Sequence, residues 1–321
     1  MLTNSNRTKK RLLVGFTAGF LAINGAQGIY QALLMDRRKR QFLAYLKNDA
    51  RVTFGNFHRG SVYGYKHIRS SQDVYFAVRQ LSDERFIVRR HAQIWGMPES
   101  YLVTDFDYNF LSDFAYYVDD QMATQDHFEP IRAGDCLDDR FQVVQTIDDE
   151  ATGLQAMAVQ VSQTQLVIAY AGTNPLDARD LKMDMTTIVA KQNLPSSENS
   201  QQHQKAEKFY QAVQAEYPDR IITLTGHSLG GFLALYVACR QRPGATVYNA
   251  HDPCQLLADM PQERELKLIN YRHVYDAMGN FAGNGTGAEV FSNRHFFLAR
   301  TPFVYHGIAS WRFDSNGKIE R

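Results

Sequence analysis

Between Gly226 and Gly230 the chain reads Gly-His-Ser-Leu-Gly, with Ser228 two residues from a glycine on either side. A serine hydroxyl is a weak nucleophile and must be presented to both a base and a substrate. In a G-x-S-x-G pentapeptide the serine sits on a sharp strand-to-helix turn that pushes Oγ out at the top of a sheet. The flanking glycines are needed because strand and helix pass too closely there for side chains. The chemistry on offer is acyl transfer, with Ser228 as nucleophile and His227 within the elbow. The backbone N–H of Leu229, the residue after the nucleophile, supplies one donor for the oxyanion. The required context is present, since β-favouring Ile221–Thr225 precedes the pentapeptide and helix-forming Leu229–Arg240 follows it. Outside such a context the motif is only a tight turn that contains a serine.

A serine of this kind needs an acid and a base in the chain order Ser…Asp…His. After Ser228 the aspartates are Asp252, Asp259, Asp276 and Asp314, and the histidines are His251, His273, His295 and His306. His251 has no aspartate between it and the serine, so the order excludes it. His273 lies inside an apolar strand and reads as a sheet residue. Asp276 ends that strand, where a carboxylate can reach an imidazole on a loop at the sheet's C-terminal edge. His306 opens Gly307–Trp311, with His295 as reserve base and Asp252 as reserve acid. The alternative reading of Asp276 is a residue that only caps a turn or helix.

The elements that must position these groups alternate. Leu111–Tyr117 is helix-like, and Phe141–Thr146 and Leu154–Val161 read as strands. Leu166–Tyr170 is a continuous apolar run suited to a buried parallel strand. Residues 201–216 form an amphipathic helix closed by Tyr217-Pro218, and strands follow at Ile221–Thr225, Thr246–Asn249, Lys267–Tyr275 and Phe296–Leu298. Such alternation implies an α/β fold, a mostly parallel sheet with helices on both faces. Upstream, Val74–Val78 and Arg85–Val88 read as two short strands around a turn.

With these pieces in order, residues 111–319 resemble the class 3 lipases, the fungal-type triacylglycerol lipase group of α/β-hydrolases, and above all their bacterial lipase-like relatives. The resemblance rests on Leu111–Tyr116, Thr152–Val159, Ile168–Asn174, Thr225–Gly231, Tyr271–Gly279 and His306–Gly317. It implies Asp276 as the catalytic acid, His306 as the base, and Thr173 as the second oxyanion donor beside Leu229. Where the family carries Arg-Gly before that Ser/Thr, this chain has Ala171-Gly172. The donor is a backbone group, so the departure removes only an arginine contact. The resemblance also implies a lid over the site from residues 174–200. Met183, Met185, Ile188 and Val189 there could face a lipid or belong to the core, and Asp180 and Asp184 read as a solvated face.

Composition bounds the rest. A formal net charge of +1 over 321 residues gives no overall pull towards nucleic acid, and the basic N-terminus lacks the aromatic interleaving of a binding groove. Ten Lys/Arg of residues 1–51 face only Asp36 and Asp49, around an uncharged run from Leu12 to Met35. That run fits a signal peptide, a single membrane anchor or a helix packed on the protein's own surface. The division is therefore residues 1–35 as an apolar segment, 36–100 as a basic leader region, and 101–321 as the hydrolase domain. Membrane association or export through residues 1–50 is expected, with a cytoplasmic placement as the alternative. The three cysteines, Cys136, Cys239 and Cys254, form no disulfide framework or metal-ligand spacing. No metal or organic cofactor is needed. The expected activity is hydrolysis of lipid or other carboxylic esters. Thioesterase or acyltransferase chemistry with the same triad is one alternative, and a catalytically silent membrane-associated scaffold is another.

Overall fold

The computed structural model describes residues 52–53, 62–67, 74–80, 86–91, 93–125, 130–138, 140–172, 199–253, 266–276, 279–280, 286–292 and 303–320. The apolar N-terminal run, Thr173, the segment 174–198, His295 and the expected strand at 296–298 lie outside them.

Twelve strands form one sheet in sequence order. The first seven are β1 (Val52–Thr53), β2 (Val62–His67), β3 (Val74–Gln80), β4 (Phe86–His91), β5 (Asp135–Leu137), β6 (Phe141–Asp149) and β7 (Leu154–Gln160). They are followed by β8 (Gln165–Tyr170), β9 (Ile221–His227), β10 (Gly244–Tyr248), β11 (Leu268–His273) and β12 (Ala288–Ser292). From β1 to β8 each neighbouring pair is antiparallel, and from β8 to β12 each is parallel. The parallel arrangement expected from the alternating sequence thus holds for the five strands that carry the site. Upstream the chain returns as an antiparallel meander, through short connections except for residues 92–134 between β4 and β5. The ladder runs on from β4 to β5.

The helices are α1 (Asp105–Phe114), α2 (Asp120–Gln125), α3 (Asn199–Glu216), α4 (Leu229–Gln241) and a short α5 (Phe303–His306). α1 starts earlier than its apolar pattern indicates because Thr104 and Asp107 form a reciprocal capping box. The side chains of β8 alternate between two cores. Leu166, Ile168 and Tyr170 pack on α3 and α4, while Val167, Ala169 and Ala171 face α1. Helices therefore cover both faces, as an α/β-hydrolase fold requires.

α4 is apolar on all sides because it is enclosed on all sides. Gly230 to Ala238 are all buried, between the sheet and α3. Each large apolar side chain so placed contributes about 1.5–3 kcal/mol. The helix stops at Arg242, which takes a left-handed φ of 71° while its N–H still makes the last helical bond to the Ala238 carbonyl. Pro243 then prevents continuation.

Candidate active site

Ser228 stands between β9 and α4 with φ 55° and ψ −122°. A non-glycine residue there stores about 1–3 kcal/mol and persists only where its surroundings hold it. Two backbone bonds do so: Ser228 N–H donates to the Tyr248 carbonyl at 3.0 Å, and its own carbonyl accepts from Phe232 N–H at 3.0 Å. A Cβ on Gly226 would lie 2.6 Å from Gly231 N, and one on Gly230 would lie 2.7 Å from the Ala171 carbonyl carbon. Both glycines are therefore obligatory for the reason the motif implies.

The structure brings together the three residues expected to act. His306, at the end of α5, has Nε2 at 2.9 Å from Ser228 Oγ. Its Nδ1 lies 2.9 and 3.1 Å from the two Asp276 carboxylate oxygens. A carboxylate only accepts, so Nδ1 carries the hydrogen and leaves the Nε2 lone pair facing the serine hydroxyl. Asp276 is fully buried, Ser228 and His306 nearly so. Asp276 sits just beyond β11 and is fixed from behind by Gly279 N–H at 2.9 Å. Ser228, Asp276 and Gly172 thus all lie at the C-terminal edge of the parallel strands, where open α/β sheets place their ligands.

The remaining candidates fall elsewhere. Asp252 accepts from the Thr286 amide at 2.9 Å and from its hydroxyl. Asp314 accepts from the Asn316 and Lys318 amides in a surface turn. His273 stacks on Trp311 at 4.1 Å and meets Ser310 Oγ at 2.9 Å, so it is the sheet residue its position indicates. His251 is buried in the neighbourhood of His306 and Asp276, and burial pushes its pKa down to about 4. Cys136 is buried and Cys239 packs at the edge of the α3–α4 core.

Of the two residues expected to supply oxyanion donors, Leu229 is the first of α4, whose N-terminal amides have no partner within the helix and carry its partial positive charge. Thr173 lies just past the described residues. Its predecessor Gly172 packs so tightly that a Cβ there would lie 2.6 Å from the His227 carbonyl oxygen.

His227 itself has a use that the motif does not reveal. Its Nδ1 meets Tyr116 Oη at 2.9 Å and its Nε2 meets the His306 carbonyl at 2.6 Å. Asn249 Nδ2 reaches the same carbonyl at 2.9 Å. Sequence reasoning missed Tyr116 and Asn249 as parts of the site, because nothing local distinguishes them from core or turn residues. Among the described residues no helix is long and apolar enough to cross a membrane, and no cluster of His, Cys, Asp or Glu could hold a metal.

The family profile of a Tle-like phospholipase domain matches residues 108–253. No curated protein matches the sequence. Among solved structures, the chain is similar to the lipase from Rhizopus microsporus var. chinensis at 13% identity and a TM-score of 0.40, covering 64% of this chain and 80% of that one. It is similar to a triacylglycerol lipase from Penicillium expansum at 16% identity and a TM-score of 0.36, covering 60% and 82%. With the Rhizomucor miehei lipase propeptide complex the identity is 13% and the TM-score 0.34, and the chain spans 57% of that chain against 48% of its own. Over residues 108–253, then, the chain is similar to a Tle-like phospholipase domain, in line with the class 3 lipase-like family that its sequence resembles.

Proposed function

We propose that the protein is a serine hydrolase of lipid carboxylic esters that works through an acyl-enzyme on Ser228. The observation that carries this is the continuous buried line from Ser228 Oγ through His306 to Asp276, with contacts of 2.9 Å on each side of the imidazole. His306 Nε2 takes the serine proton as Oγ attacks the ester carbonyl. Asp276 holds the imidazole in the required tautomer and stabilises the imidazolium that forms. The amides of Leu229 and Thr173 receive the oxyanion in each tetrahedral intermediate. His306 then protonates the leaving alkoxide, and water repeats the sequence to release the acid.

The phospholipase-like match favours a glycerolipid ester, and the proposal extends to membrane association through residues 1–50. The test is hydrolysis of p-nitrophenyl esters and of phospholipid vesicles by the full chain in parallel with Ser228→Ala, combined with fluorophosphonate labelling. Turnover and labelling that disappear in the variant support the reading. A wild-type chain that neither turns over nor labels leaves the silent scaffold in its place.

A further inference from the structure

The two buried rings at the centre of the site, Tyr116 and His227, take no part in proton transfer from Ser228, yet every polar atom they carry is engaged. The His306 carbonyl can only accept, so His227 Nε2 bears the hydrogen directed at it over 2.6 Å. Nδ1 is then a lone pair, and Tyr116 Oη must donate to it across 2.9 Å. The same phenol oxygen accepts the backbone N–H of Gly172. The polarity of the whole line is thereby fixed: Gly172 N–H to Tyr116 Oη, Tyr116 O–H to His227 Nδ1, and His227 Nε2–H to the His306 carbonyl.

This line crosses beneath the serine elbow from the loop that leads into Thr173 to the main chain of the base. Its length is set tightly at the loop end, where any side chain on Gly172 would collide with the Tyr116 hydroxyl and the His227 carbonyl oxygen. At the other end the His306 carbonyl is held a second time by Asn249 Nδ2 at 2.9 Å. Tyr116 sits in an otherwise apolar core with Ala115, Val118, Met157 and Ala169, where a phenylalanine would pack equally well. Burying a hydroxyl and an imidazole costs free energy unless they are joined, so a fully satisfied pair here points to geometry rather than adhesion. Burial pushes the His227 pKa down to about 3, which keeps the ring neutral and the polarity of the line unchanged at ordinary pH.

We propose that Tyr116 and His227 are positioning residues, a rigid strut that holds the oxyanion loop at Gly172 and the backbone of His306 at a fixed separation across Ser228. The proposal rests on the triad reading given above. It predicts that acylation depends on two hydroxyl and imidazole contacts that touch no substrate.

The test compares Tyr116→Phe, His227→Gln and His227→Asn in the full chain with Tyr108→Phe. In that last variant the lost hydroxyl meets Thr223 Oγ1 at 3.1 Å, remote from the serine. The glutamine can keep the donor to the His306 carbonyl, and the asparagine can keep the acceptor for Tyr116. Three quantities are read: kcat and KM on a p-nitrophenyl ester, the fluorophosphonate labelling rate, and the downfield proton resonance of His306 Nδ1–H. Loss of positioning costs about 10- to 100-fold in kcat for Tyr116→Phe with KM within about twofold. The downfield resonance should move in Tyr116→Phe and His227→Asn, less in His227→Gln, and not at all in Tyr108→Phe. A Tyr116→Phe protein that labels at the wild-type rate with its resonance unmoved overturns the strut, as does an equal loss in Tyr108→Phe. If the wild-type chain itself is inert, the triad reading fails. The resonance alone then decides: a shift in Tyr116→Phe supports the strut, and an unshifted one overturns it.

Discussion

Gly230→Ala is the most direct perturbation of the elbow. The added Cβ would stand 2.7 Å from the Ala171 carbonyl carbon and 2.8 Å from that of Tyr170, and closer still to the Tyr170 oxygen. All three atoms are backbone, so no side chain can rotate away. Ordinary contact begins near 3.4 Å. Relief therefore moves the end of β8 and the start of α4 apart by about 1 Å, and a misplacement of that size at a reacting centre costs on the order of 10²-fold in rate. Overpacking of this kind also costs about 1–3 kcal/mol of stability. The displacement falls on both halves of the proposed oxyanion site, because Leu229 begins α4 and Gly172 follows β8. The fluorophosphonate labelling rate and the urea midpoint measure the two effects. Gly244→Ala is the control, since its Cβ would meet Lys267 O at 3.4 Å and Thr223 Cγ2 at 4.0 Å. It should label normally and remain within about 1 kcal/mol of wild type. A Gly230→Ala protein with unchanged labelling and stability would refute the claim that close approach, rather than habit of sequence, requires glycine there.

Asp276→Asn removes the charge and allows the wrong tautomer of His306; kcat should fall about 10³- to 10⁴-fold while the fold persists by circular dichroism. Acid should destabilise the protein through its buried neutral histidines. Burial pushes His227 down to about 3 and His251 to about 4, both below the ordinary 6.5. The unfolded chain then binds more protons than the native one in that window, so their stabilisation is complete above about pH 6.5 and is lost as pH falls. At about 1.4 kcal/mol per unit, each contributes at most roughly 3 kcal/mol between pH 7 and 4. Urea midpoints at the two pH values check this, and His227→Gln should show a shallower dependence than wild type. Arg272 is fully buried, donates to the Ala250 carbonyl at 2.9 Å and pairs with Glu289 at 3.2 Å. Arg272→Met should cost about 3–5 kcal/mol in urea unfolding, because Glu289 loses its counter-charge and the Ala250 carbonyl keeps only the Asn270 amide as a donor.

Local sequence carried much of this site because the chemistry itself is local. The elbow needs glycines at fixed offsets, and the order Ser…Asp…His leaves few choices. What chain order could not do was separate Asp252 from Asp276 on the residues alone, since both follow strands of the same edge. The resemblance favoured Asp276, and the distances to His306 agree. β12 at Ala288–Ser292 escaped notice because Ala-Glu-Val-Phe-Ser shows little apolar excess at a sheet edge. Of the antiparallel run from β1 to β8, the turn between β3 and β4 marked one pairing in advance; elsewhere strand propensity says nothing of direction.

Residue types and spacing were thus enough to mark the Ser228 elbow, the β-strand before it, the helix after it, and the short set of partners compatible with chain order. Those follow from backbone sterics and from periods of two and 3.6 residues, which act between near neighbours. That Tyr116, His227 and Asn249 join Gly172 to His306 emerges only in the folded chain. Those partners lie 56 to 111 residues apart along the chain. Hydrogen bonds of that kind exist only once the sheet and α1 have brought their donors and acceptors within about 3 Å.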